Sequence, residues 1–163
     1  MCSIAVAGAV MIRPANVLDI PAILKLGTVY ANTEVTESNH HTAEWDMDAA
    51  ATALLNTIAS QDGYLWVYTS KGEVKGFMWA MAHELAPWST RKIASDLLLY
   101  VVPELRGSSA ALKLIYTYRE WAKSIGCKEV RLSVASGVNQ DRTCGLYKKL
   151  GFTSFGEVFN SPL

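Results

Sequence analysis

Apolar positions change period several times along the chain, and each change marks an element. Met11 to Ala15 is short and extended, with Pro14 near its end. Asp19 can cap a helix whose first turn tolerates Pro21. Ile20, Ile23, Leu24 and Leu26 give that helix an apolar stripe that predicts a stop near Gly27. Residues 30–41 are polar and aperiodic, which predicts a loop. Met47, Ala50, Ala51, Leu54, Leu55 and Ile58 recur at helical spacing, and Gly63 closes that segment. The period then falls to two. Tyr64 to Thr69 reads as a strand, Lys71-Gly72 as a turn and Val74 to Ala82 as the returning strand. Residues 85–92 contain Pro87 and read as a loop. Asp96 to Val102 is apolar on both faces, as a central strand would be, and Pro103 ends its ladder.

The next stretch is a helix. Ala111, Leu114, Ile115, Tyr118, Trp121, Ala122 and Ile125 share one face, and Gly126 terminates it. Glu129 to Ala135 alternates as a strand. Gln140 to Leu150 is a short helix closed by Gly151, and Phe152 to Phe159 is a last strand. The order β-α-α-β-β-β-α-β-α-β predicts an α/β (α+β) domain with a mixed sheet, hairpin-rich in its first half and β-α-β in its second.

Composition narrows the class. The chain has 163 residues, half of them hydrophobic and 18% charged, enough to bury a core. No linker or repeat divides it, so residues 11–163 read as one domain and residues 1–10 as an extension. Those ten residues are apolar, but a membrane span needs about 20 and a signal peptide a basic start. Fifteen basic residues balance fifteen acidic ones, leaving no global field to draw nucleic acid or an anionic membrane. Cys2, Cys127 and Cys144 are unclustered, which fits a reduced, cytoplasmic setting and suggests no metal site. His40-His41 reads as a loop pair.

The chemistry concentrates where the apolar strand meets the long helix. Arg106-Gly107-Ser108-Ser109-Ala110-Ala111 opens that helix, whose first turn leaves about four amides unpaired and carries partial positive charge. Gly107 permits unusual dihedrals, the small residues let an anion approach, and Arg106 can add a charged hydrogen bond. This reads as a phosphate cradle; a serine cap with alanines packed on the sheet is the plainer reading. Neither the G-x-x-x-x-G-K-[ST] nor the G-x-G-x-x-G pattern is present.

Further on, Leu146-Tyr147 and Gly151-Phe152 follow Asn139 on the short helix. Together with Val101-Val102-Pro103 leading into Arg106-Gly107-Ser108-Ser109-Ala110-Ala111, and Ile12-Arg13-Pro14-Ala15 near the start, this ordered set resembles the GCN5-related N-acetyltransferase (GNAT) superfamily. The resemblance spans about residues 11–160. The family's second glycine position is Ser109 here, whose Cβ and hydroxyl narrow the approach. Asn139 stands one residue further from Tyr147 than the family's pattern has it.

The resemblance implies a mixed, mostly antiparallel central sheet flanked by helices. It also implies direct transfer of an acetyl group from acetyl-CoA to a primary amine, without metal. Tyr100, Val101 and Val102 would pair with pantetheine, as would Asn139. The amides of Arg106, Gly107, Ser108, Ser109, Ala110 and Ala111 would hold the pyrophosphate, and an N–H near Val101 would polarise the acetyl carbonyl. Tyr147 is the expected general acid to the CoA sulfur. A phenol titrates near 10 and a thiol near 8.5, so the proton must move in concert with C–S cleavage.

The acceptor also needs a base, since deprotonating a lysine-type amine at pH 7 costs about 4.6 kcal/mol. Glu84 is the expected base, with His83, Asp96 and Glu34 as other candidates. Trp88, Trp45 and Tyr30 are candidate acceptor contacts, whereas Trp79 reads as core. Small-molecule, peptide and protein amines all remain open as acceptors. The same fold could instead hold acyl-CoA as a non-catalytic sensor or regulator. An exposed strand edge and the apolar first ten residues would suit a homodimer.

Overall fold

Alternation along each strand divides the core into two halves, one on either face of a five-stranded sheet. The computed structural model describes residues 8–35, 44–134, 139–159 and 161. Strands β1 (Met11–Pro14), β2 (Gly63–Ser70), β3 (Glu73–Glu84) and β4 (Lys92–Val101) form an antiparallel run in chain order. Strand β5 (Val130–Arg131) adds in parallel beside β4. Lys71 and Gly72 join β2 to β3 with φ of 53° and 79°, the twist that suits a two-residue hairpin.

Helices α1 (Ile20–Val29) and α2 (Met47–Ala59) cover one face. There Ile20, Ile23 and Leu54 meet Leu65, Val67, Phe77 and Tyr100. Helices α3 (Ala110–Ser124) and α4 (Gln140–Lys149) lie on the other. Leu114, Ile115, Tyr118, Ala122 and Tyr147 pack there on Tyr64, Met78, Ala80, Ala94 and Val101. Among the described residues no helix is long and apolar enough to cross a membrane.

Both helices of the second half end in the same way. After α3, the Gly126 amide donates to Lys123 O and the Cys127 amide to Ala122 O. After α4, the Gly151 amide donates to Lys148 O and the Phe152 amide to Tyr147 O. Each glycine has a φ of 85°, the left-handed geometry of a Schellman cap. That cap folds Phe152 back on its own helix, with its ring centroid 6.0 Å from that of Tyr147. The Gly-Phe pair of the sequence thus fixes the orientation of the tyrosine.

Four expectations from periodicity need correction. Helix α1 does not stop at Gly27; it runs to Val29 and continues as a π-helical segment, Tyr30–Val35, where a loop was expected. Gly27 serves packing instead of termination: a Cβ there would fall 2.2 Å from the Trp45 ring. Strand β4 begins at Lys92, because Ile93 and Ala94 are fully buried. Of the strand expected over 129–135, the described residues 129–134 form a ladder at Val130–Arg131 alone. Phe152 to Phe159 carries no ladder, and Gly156 within it has a φ of 75°. Residues 36–43, including His40 and His41, lie outside the described residues.

Strand β4, expected to be central, is second from the edge, and β3 takes the middle. Its pairing with β5 covers only Ala94 and Ser95. Among the described residues nothing pairs with the outer edge of β4 beyond Ser95, and this opening creates the site.

Candidate active site

The open edge of β4, the start of α3 and one face of α4 enclose a cleft of about 630 Å³. Pairing parity decides which backbone groups of β4 look into it. The Val102 amide donates to Lys75 O at 2.9 Å, so Val102 is bonded toward β3. In an antiparallel ladder, alternate residues point their polar groups to the same side. Tyr100 and Leu98 therefore also face β3, while Leu99 and Val101 aim theirs at the open edge. A register shift between Trp79 and Ala80 leaves Leu97 as a bulge below them. The Val101 carbonyl accepts from Arg106 Nε at 3.1 Å. Among the described residues the amides of Leu99 and Val101 and the Leu99 carbonyl thus remain to pair with an extended ligand.

The turn into α3 supplies the second wall. Some of its amides are spent within the protein: Arg106 N on Pro103 O, Ser108 N on Leu105 O, and Ala110 N on the Ser108 hydroxyl. Among the described residues the amides of Gly107, Ser109, Ala111 and Leu112 donate to no protein acceptor. Gly107 adopts a φ of 89°, and a Cβ on it would sit 3.3 Å from Arg142 Nη2. Free amides, a helix dipole and the Arg142 cation converge here, a combination that favours an anion.

The Arg106 guanidinium does not turn into this cradle. Its Nη2 pairs with Glu34 Oε1 on the π-helical segment, and its Cζ lies 5.6 Å over the Tyr100 ring.

Two titratable groups on the α3–α4 side face the same space. Tyr147 is buried, and among the described residues its hydroxyl has no protein partner. Burial, together with the negative charge of Asp96, holds that phenol protonated well above its ordinary range. Asp96 sits at the bulge, where its Oδ1 accepts the Ser133 amide at 2.8 Å. Burial pushes its carboxyl up to about 6 despite that bond.

Of the expected cofactor residues, Tyr100, Val101, Arg106, Gly107, Ser108, Ala111 and Asn139 line the cleft, together with Tyr147. Val102, Ser109 and Ala110 do not: the Val102 amide faces β3 and Ala110 is fully buried. Glu84 does not reach the cleft. It sits at the far end of β3, opposite Lys92, beside His83, whose Nε2 pairs with Ser95 Oγ at 2.8 Å. The two candidate bases that do line the cleft are Asp96 and Glu34. Trp79 is core, its Nε1 donating to Thr57 Oγ1 at 2.8 Å. Trp45 packs on α1, and Trp88 stands exposed in its loop.

Arg142 and the Arg106–Glu34 pair were not singled out by the sequence reading. For Arg142 a signal exists: Asn139, Arg142, Leu146 and Tyr147 stand at i, i+3, i+7 and i+8, the pattern of one helical face. Among the described residues no group of three or more potential metal ligands is gathered.

The sequence profile of the acetyltransferase (GNAT) family matches residues 29–152. No curated protein sequence matches the chain. Solved structures share its fold. An acetyltransferase of Trypanosoma brucei superposes with a TM-score of 0.71 at 19% identity, covering 95% of this chain and 100% of that one. The aminoglycoside N-acetyltransferase AAC(6')-Iy, in complex with CoA, gives 0.77 at 15% identity over 99% of both chains. A glucosamine-6-phosphate N-acetyltransferase of Arabidopsis thaliana gives 0.69 at 13% identity, covering 94% of this chain and 98% of the other.

Proposed function

Because this chain belongs to the acetyltransferase (GNAT) family, we propose that it moves an acetyl group directly from acetyl-CoA to a primary amine. One observation carries the reading. The open edge of β4, the free amides of α3 and the unpartnered Tyr147 hydroxyl meet in a single cleft.

The amides of Gly107, Ala111 and Leu112, with Arg142 beside them, hold the pyrophosphate. Leu99 pairs with pantetheine along the strand edge, and the Val101 amide polarises the acetyl carbonyl. Asp96 takes the proton of the attacking amine. A carboxyl near 6 is ionised at neutral pH yet basic enough for that task. Tyr147 gives its proton to the departing sulfur as the C–S bond breaks and the N–C bond forms.

The two transfers help each other. Ionised Asp96 raises the Tyr147 phenol. Once Asp96 has accepted the amine proton, that charge is gone and Tyr147 becomes the better acid when the thiolate appears.

Binding is tested by thermal unfolding with acetyl-CoA. At 100 times its Kd a ligand adds about 2.7 kcal/mol, roughly 5–10 °C for a domain of this size. No shift at millimolar acetyl-CoA would overturn the reading. Gly107→Ala should weaken acetyl-CoA binding about tenfold, since a side chain at that φ costs on the order of 1–2 kcal/mol and the turn relieves it by leaving the geometry that aims the Gly107 amide into the cleft. Isothermal titration checks it: unchanged affinity would remove Gly107 from the cradle.

A further inference from the structure

The Arg106 guanidinium occupies a place built for a cation. Three different groups surround it: the Glu34 carboxylate, the face of Tyr100 and the Val101 carbonyl. Charge, π face and carbonyl dipole are the partners a partly desolvated cation needs. Tyr30 braces the box, its ring meeting Tyr100 edge-on at 6.0 Å and 70°. Tyr30 and Glu34 both belong to the π-helical segment, a distortion that often accompanies function. Yet Arg106 adjoins Gly107 and the free amides of α3, where an incoming anion would compete for its guanidinium.

We propose that Glu34, Tyr100 and the Val101 carbonyl form a cation box, held by Arg106 in the unliganded protein and taken over by a cationic group of the acceptor once a phosphate draws Arg106 away. The inference rests on the acetyl-transfer reading above and adds a substrate class to it. The Glu34 side chain is only 17% exposed, so a carboxylate left there unpaired is costly and recruits a replacement cation.

The nitrogen in the box is not the one acetylated. A carboxylate partner stabilises ammonium, whereas the attacking nitrogen must give up its proton. Asp96 and Tyr147 lie with the α3–α4 half of the core, while Tyr100 belongs to the α1–α2 half. The open edge of β4 joins the two. The acceptor class is therefore an amine with a second cationic group.

The test is calorimetric and needs no turnover. Putrescine and cadaverine are titrated against butylamine and pentylamine, with saturating CoA and without it. In the wild type with CoA, at least one diamine should bind about tenfold tighter than its monoamine, and CoA should raise diamine affinity within the roughly 5- to 150-fold range of ordinary coupling. Glu34→Gln should abolish the diamine preference while leaving CoA binding intact. Arg106→Gln should bind diamine without CoA. Equal affinity for diamines and monoamines, or a preference that survives Glu34→Gln, overturns the box. If the wild type fails to bind CoA, the cofactor reading falls on its own. The box is then decided by Arg106→Gln with diamine alone, where binding no tighter than wild type overturns it.

Discussion

Tyr147→Phe lowers kcat by about 100-fold or more, within the usual 10²- to 10⁴-fold worth of a positioned acid, and leaves the Kd for acetyl-CoA within about twofold. The ring stays because its packing does not depend on the hydroxyl. Phe152 holds it through the Schellman cap, and the hydroxyl has no protein partner among the described residues. Removing an oxygen that bonds to nothing in the protein leaves no acceptor stranded, so folding should be nearly unaffected. Stopped assays of released CoA thiol give kcat, and titration calorimetry gives Kd. The same variant separates enzyme from sensor: a protein that only reads acyl-CoA would bind and respond as before, with no rate to lose. An unchanged kcat would remove Tyr147 from the chemistry and leave its position in the cleft as packing.

The residues of the sheet were legible because alternation is a direct consequence of the pleat. Tyr64 to Thr69 and Val74 to Ala82 alternate, turn at Lys71-Gly72 and pair as expected. The turns at Gly107 and Gly151 were legible for a different reason, while the roles of the cradle and of Tyr147 came with the family resemblance. Gly107 and Gly151 both need left-handed backbone, and such positions leave a mark in sequence. What sequence did not show depends on contacts distant along the chain. Gly27 looks like a helix stop, but its meaning comes from the Trp45 ring. Glu84 lies close to the end of a strand in sequence, and only the register reveals that this is the end away from the cleft. Glu34 pairs with Arg106 across 72 residues, which no local pattern could announce. Asp96 was one carboxylate among several candidates, and its burial at the Leu97 bulge is what distinguishes it.

Asp96→Asn should stabilise the protein and cripple it at once. In the unfolded chain this carboxyl ionises near 3.8; in the folded protein burial pushes it up to about 6. Between those values the folded state binds more protons than the unfolded one, so stability falls as pH rises through that window. Above it the whole difference is in force, on the order of 3 kcal/mol. Asparagine carries no charge to bury, and its oxygen can still accept the Ser133 amide. The variant should therefore match the wild type near pH 4 and exceed its Tm by roughly 5–10 °C at neutral pH and above. Catalysis should move the other way. Wild-type kcat/KM rises with pH as Asp96 ionises near 6, and the variant loses that limb together with about 100-fold or more in rate at pH 7. Melting curves and rates across pH 4 to 8 decide the matter jointly. A base held in low dielectric at the expense of folding predicts both changes with opposite sign. A carboxylate kept only to anchor the Ser133 amide predicts the gain in Tm without the loss of the limb near 6, and finding that limb intact would return the role of base to another residue.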